Sequence, residues 1–272
     1  MITFFSPYGT LIKESGFMYM FARYISTFYS NISQLKCNGL FTICSRDYLE
    51  KERRDFLMCS NCMACQDELA NWSEISSFEL SKCLRADALR YIKKEFLLVP
   101  DEELNNVYYE ELNIYDLCRG SFFNFVGNEM PDISNKKNLQ LVKKIMLSSI
   151  KVIEAIKTYY SNESPSLFFI PSSKDFLTHS ILEYLKIANK NFVEIDWSEE
   201  KNIFSIINSS KKELKQYEIY IDSIIHFRND CSTWPEEFIN MLNDVANFVG
   251  LSDKISDTSN NIINRDSYDN AV

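Results

Sequence analysis

Apolar residues occur in two kinds of run along this chain. Short blocks bounded by turn residues, ITFFS at 2–6, LFFI at 167–170 and FVEIDW at 192–197, predict buried β-strands. Longer stretches repeat apolar residues every three or four positions. Phe17 to Ile32 carries Met18, Phe21, Tyr24, Ile25 and Phe28. Asn135 to Tyr160 carries Leu139, Val142, Ile145, Met146, Val152, Ile153 and Ile156. Asp175 to Asn189 carries Phe176, Ile181, Leu182, Leu185 and Ile187. Each predicts an amphipathic helix. Gln34–Cys37 reads as a further strand ended by Asn38-Gly39, so the chain opens with a β-α-β unit, and residues 167–197 form a second.

Between these units the pattern is mainly helical from Gln66 to Phe96, broken near Ser76-Ser77, and Asp101 is placed as an N-cap after Val99-Pro100. Residues 113–127 show no clear period. Beyond Trp197 the pattern predicts helices. Ser198 caps one through Ile203, Phe204, Ile206 and Ile207. Ser210-Lys211-Lys212-Glu213 fits a capping box before Leu214, Tyr217, Ile221, Ile224 and Ile225. Pro235 opens a last helix through Phe238, Met241, Leu242, Val245 and Phe248, with Gly250 at its end. Residues 251–272 are rich in Asp, Asn and Ser and predict a disordered polar tail. The expected fold is α/β: a Rossmann-like parallel sheet with flanking helices over residues 1–250, a cysteine-containing insertion at about 38–130, and a helical C-terminus.

Composition narrows the function classes. The chain has only 6 glycines and neither a G-x-G-x-x-G nor a G-x-x-x-x-G-K-[ST] stretch, which disfavours a glycine-rich phosphate loop. A net charge of −9 disfavours nucleic acid as a partner, because duplex binding neutralises phosphates with Lys and Arg. No apolar run approaches the ~20 residues that span a bilayer, and residues 1–16 do not read as a signal peptide, so the cytoplasm is the expected location.

Candidate chemistry concentrates between Cys37 and Cys65, which hold five of the 8 cysteines in the spacing C-x6-C-x14-C-x2-C-x2-C. In a reducing compartment such a cluster reads three ways. Cys37, Cys44, Cys59 and Cys62 could ligate a structural zinc, they could be buried thiols, or one could serve redox or nucleophilic chemistry. Of the two histidines, His226 reads as a packing or capping residue on an apolar face. His179 follows LFFIPSS early on a helix, where parallel sheets present ligand-contacting groups, and is the candidate catalytic residue. By the same strand-end argument Tyr8 and Gly9, and Ser172, Ser173 and Lys174, are candidate substrate-binding residues. The carboxylates, Asp67 among them, form no pair that stands out, and no serine lies in G-x-S-x-G.

The order of these pieces resembles a known family. A first strand ends S-P-x-G, and a later one ends L-K-C-N-G with a further cysteine soon after. Then come a C-x-x-C pair, the stretch ELNIYDLCRGSFFNF, a long helix, a strand, and a helix leading to FVEID. This layout, over residues 1–200, is similar to the N-terminal half of bacterial GT-B glycosyltransferases of capsule and O-antigen biosynthesis. Where that family has an Asn-Gly-like turn, this chain has Ser172-Ser173. The resemblance implies hexosyl transfer from a nucleotide sugar to a glycan acceptor, in the cytoplasm and peripheral to the inner membrane. It also implies that this chain is an acceptor-side domain alone, a truncated relative, or the partner of a separate donor-binding subunit, because the length leaves room for one such domain. The rival expectation is a non-enzymatic, metal-stabilised α/β binding or scaffold protein.

Overall fold

A computed structural model describes residues 1–6, 13–41, 43–44, 56–127, 132–172, 175–198, 203–218 and 234–251. The chain begins with strand β1 (Ile2–Phe5), helix α1 (Lys13–Ser26), β2 (Ile32–Lys36), α2 (Phe56–Trp72) and β3 (Ser76–Glu79). A largely helical excursion follows: α3 (Leu80–Cys83), α4 (Ala86–Leu97), a 3-10 turn (Asp101–Asn106), the short strands β4 (Tyr108–Tyr109) and β5 (Leu112–Asn113), and α5 (Ile114–Val126). Helix α6 (Lys136–Glu163) leads back to β6 (Leu167–Pro171). The chain then forms α7 (Phe176–Ile187), β7 (Phe192–Ser198), β8 (Ile203–Asn208), β9 (Glu213–Glu218) and α8 (Glu236–Phe248).

The main sheet has seven strands in the order β3-β2-β1-β6-β7-β8-β9. The five from β3 to β7 are parallel, and β8 and β9 add an antiparallel hairpin. β1, β2 and β6 are buried at every position, as strands covered on both faces must be. One face packs against α1, α2 and α8, where Phe4, Phe169 and Ile195 meet Phe21, Ala70 and Leu242. The other packs against α6, α7 and the excursion, where Phe168 and Ile170 meet Ile153, Ile156 and Ile181. A hydroxyl cluster crosses this second interface: Tyr159 Oη lies 2.8 Å from Thr3 Oγ1 and 3.3 Å from Ser33 Oγ, so its polar tip is satisfied in the core.

Helix α6 has 28 residues, about 42 Å of axis. Its C-terminal half covers the sheet with Ile153, Ile156, Tyr159 and Tyr160, and α5 packs against it with Cys118 Sγ 3.1 Å from Ser149 Oγ at mid-helix. Asn135 caps it, accepting from the Lys137 amide at 2.9 Å.

Three expectations are corrected. Residues 203–218 are not helical: β8 pairs along β7 with Ile195 opposite Ile206, burying Phe204 and Ile206 while Ile203, Ser205 and Ile207 lie on the less covered face. The apparent capping box is the hairpin turn, where Asn208 Oδ1 accepts from the Ser210 amide at 3.1 Å and Lys212 takes a φ of +55°. The stretch 38–130 is not one insertion, since Ser76–Glu79 forms the outer parallel strand beside β2. Ile32, placed at the end of the first helix by its spacing, starts β2 instead. Ile221, Ile224, Ile225 and His226, the basic spacer at 45–55 and the tail from 252 onward lie outside the described residues.

Candidate ligand-binding edge of the sheet

The strand order reverses at β1. β2 and β3 lie to one side, and β6 and β7 to the other. α1 packs on one face of the sheet and α7 on the opposite face, so the helices following β1 and β6 lie on different sides of the carboxyl ends of these strands. In open α/β sheets this is where ligands bind.

Ser6 follows β1 directly and is buried, its amide donating to the Leu35 carbonyl at 3.3 Å. The Ser6 hydroxyl donates to Ser15 Oγ at 3.1 Å and also hydrogen-bonds the Tyr19 phenol. Its carbonyl accepts from Gln66 Nε2 at 2.6 Å. Tyr19 Oη in turn meets Gln34 Nε2, and the Tyr19 carbonyl accepts from the Ser73 hydroxyl at 3.2 Å. Burial raises the Tyr19 phenol well above its ordinary value, against a lowering hydrogen bond from Ser6 and with Cys62 and Asp67 adding to the rise. Tyr19 is therefore a neutral donor at every physiological pH. β2 and α2 bring this cluster together: Gln34 and Lys36 project to the same face of β2, and Gln66 and Asp67 are neighbours on α2. Lys36 is nearly buried and forms an ion pair with half-exposed Asp67 at the outer side of the cluster.

Further along the same edge, Asn38 and Gly39 take φ of +46° and +73°, turning the chain sharply out of β2. Asn38 Nδ2 donates to Glu79 Oε2 at 2.6 Å, and Lys82 pairs with the same carboxylate at 3.1 Å, which ties the ends of β2 and β3 together. A Cβ on Gly39 would sit 3.8 Å from Cys59 Sγ, so this turn lies against α2.

Ser172 lies just past β6, as the strand-end argument expects, and its amide donates to the Ile195 carbonyl at 2.6 Å. Asp175 caps α7, accepting from the Leu177 and Thr178 amides at 2.8 and 3.1 Å. His179 is exposed on the next turn of α7, and no contact joins it to the Ser6 cluster among the described residues. Tyr8, Gly9, Ser173 and Lys174 lie outside the described residues.

The cysteines sit differently from a loop-borne knuckle. Cys59, Cys62 and Cys65 all lie on α2, with Cys62 buried and the other two partly so. Cys37 is buried just past β2, and Cys44 is partly buried. Among the described residues no group of three or more His, Cys, Asp or Glu side chains is arranged to hold a metal ion. Cys118 on α5 has the character of a buried thiol: burial pushes it up to about 12, against a lowering hydrogen bond from Ser149. Sequence reasoning passed over Ser6, Ser15, Tyr19, Gln34, Lys36 and Gln66. The legible signal was Gln34 and Lys36 at alternate positions of a strand otherwise destined for the interior.

This arrangement offers neutral hydroxyl and amide groups behind a strand end, with one half-exposed ion pair at its margin. It suits binding and orienting hydroxyl-rich groups better than proton transfer. No helix among the described residues is long and apolar enough to cross a membrane. No family model, curated protein or solved structure matches the chain.

Proposed function

We propose that this chain is a Rossmann-like domain of the glycosyltransferase type. In this reading it binds a nucleotide sugar or a glycan acceptor at the carboxyl edge between β1 and β6, in surface-polysaccharide biosynthesis on the cytoplasmic side of a membrane. One observation carries the reading: the sheet reverses its strand order at β1, and a buried set of neutral hydrogen-bonding side chains stands directly behind that strand end. The order of motifs along the sequence supports the same assignment. Hexosyl transfer then requires either this chain alone or a second, donor-binding subunit beside it.

Calorimetric titration of the full chain with UDP-glucose, UDP-N-acetylglucosamine and GDP-mannose tests the reading. Saturable binding of at least one is expected. The absence of binding by all three, both with the chain alone and with the products of neighbouring genes added, would refute it.

A further inference from the structure

We infer that Ser6, Ser15, Tyr19, Gln34 and Gln66 form a subsite for an uncharged, hydroxyl- or amide-bearing part of the ligand, a sugar ring rather than its phosphates. The inference rests on the binding role of the β1–β6 edge proposed above and says which part of the ligand reaches inward.

Gln34 and Gln66 are fully buried, and each uses one arm of its amide: Gln66 Nε2 on the Ser6 carbonyl, Gln34 Nε2 on the Tyr19 hydroxyl. Among the described residues neither side-chain oxygen has a hydrogen-bond partner. Gln66 cannot resolve this by turning over, since that would set its oxygen against the Ser6 carbonyl oxygen. Gln34 can turn, because the Tyr19 hydroxyl donates as well as accepts, but its amide nitrogen then becomes the unpartnered atom. Buried polar atoms are normally paired, so two orphans in one cluster call for a missing partner. An apolar side chain would fill either position without that deficit.

The chemistry of the cluster selects the partner. Its members are neutral, and burial keeps Tyr19 protonated. The nearby cation, Lys36, is committed to Asp67. A phosphate would bring charge without a free counter-charge, whereas a sugar hydroxyl or an acetamido N–H donates to a glutamine oxygen and accepts from a serine or tyrosine. The position fits as well. The cluster begins at Ser6, directly after β1, and the Lys36–Asp67 pair lies at its outer side and stays intact.

The test compares wild type, Gln34→Met and Gln66→Met as full chains, each titrated with UDP-glucose, UDP-N-acetylglucosamine and free UDP, with thermal midpoints recorded in parallel. Both variants are expected to bind the sugar nucleotides at least about tenfold more weakly, the factor of one lost buried hydrogen bond. Free UDP affinity and the thermal midpoints are expected to stay near wild type. Should the glutamine variants fail to fold, Ser15→Ala removes one hydroxyl of the same cluster and is expected to give the same selective loss. Unchanged sugar-nucleotide binding in the folded variants overturns the subsite and leaves the edge-binding reading standing. So does a crystal structure in which an internal water alone occupies the cluster with the ligand bound elsewhere. No binding of any probe by wild type overturns both.

Discussion

Replacing Phe169 by alanine tests the two-faced core at its centre. Phe169 is fully buried in β6, in register with Phe4 of β1 and Val193 of β7. Its ring stacks on Phe4 at 4.5 Å and 11°, and tilts against Phe21 of α1 at 5.4 Å. The truncation removes a whole ring from between the sheet and α1. The strand cannot sink into the void, because hydrogen bonds to β1 and β7 hold it on both sides. The loss therefore belongs in the upper half of the range for such changes, about 4–5 kcal/mol. Phe169→Leu keeps most of the volume and is expected to cost about 1–2 kcal/mol. A double-mutant cycle with Phe4→Leu isolates the stacking contribution, expected at about 0.5–1.5 kcal/mol. Equilibrium urea unfolding read by tryptophan fluorescence measures all three, with buried Trp197, 4.5 Å from Phe204 in the same core, as reporter. A cost below about 1.5 kcal/mol for Phe169→Ala, at unchanged denaturant slope, would show that the site can collapse and that β6 is not clamped as described.

Two further perturbations probe the helix that follows β6 and the far edge of the sheet. Asp175→Ala removes the side chain that accepts from two α7 amides, and is expected to destabilise by about 1–2 kcal/mol in the same urea assay, while Asp175→Asn recovers most of the loss. Asp244 on α8 joins Lys215 and Tyr217 of β9. Burial opposes its ionisation, but hydrogen bonds from Lys215 and Tyr217 outweigh burial and hold its carboxyl below the ordinary range. A folded value below the unfolded one, about 3.9, gives stability that is present above pH 4 and lost as pH falls through the folded value. Asp244→Asn is thus expected to lower the thermal midpoint slightly at pH 7, by about 2 °C or less for so exposed a pair, and to match wild type at pH 2. A deficit that persists unchanged at pH 2 would remove the ion pair as its cause.

Elements with a single strong period were legible in the sequence, and elements defined by a neighbour were not. ITFF and LFFI read as covered strands, FVEIDW as a strand with alternate positions buried, and the stripe of α6 as a helix. Residues 203–207 satisfy both periods over so short a span. β7 decides the matter by offering an open edge that β8 completes. β3 is polar because it lies at the border of the sheet, so Ser76-Ser77 looked like a break rather than a strand. In α5 the buried stripe of Ile114, Leu117, Cys118, Ser121 and Phe122 has full helical spacing, but two of its five members are small and weakly apolar and hid the pattern. At the site, strand-end reasoning pointed to residues following β1 and β6, and Ser172 does lie just past β6. It could not find Tyr19, Gln34 and Gln66, which lie far apart in sequence and gain meaning only when α1 and α2 close over β2.

The disproportion between α6 and the strands it covers has a mechanical consequence. A strand of five residues spans roughly 17 Å, well under half of the helix beside it. One continuous helix therefore packs against the sheet, α5 and the β4–β5 turn at once, the last through Tyr109–Glu154 and Lys157–Glu110. Bending between those contacts would require breaking helical hydrogen bonds rather than flexing a loop. Tyr159 on this helix, through its hydroxyl contacts to Thr3 and Ser33, ties that single element to both β1 and β2.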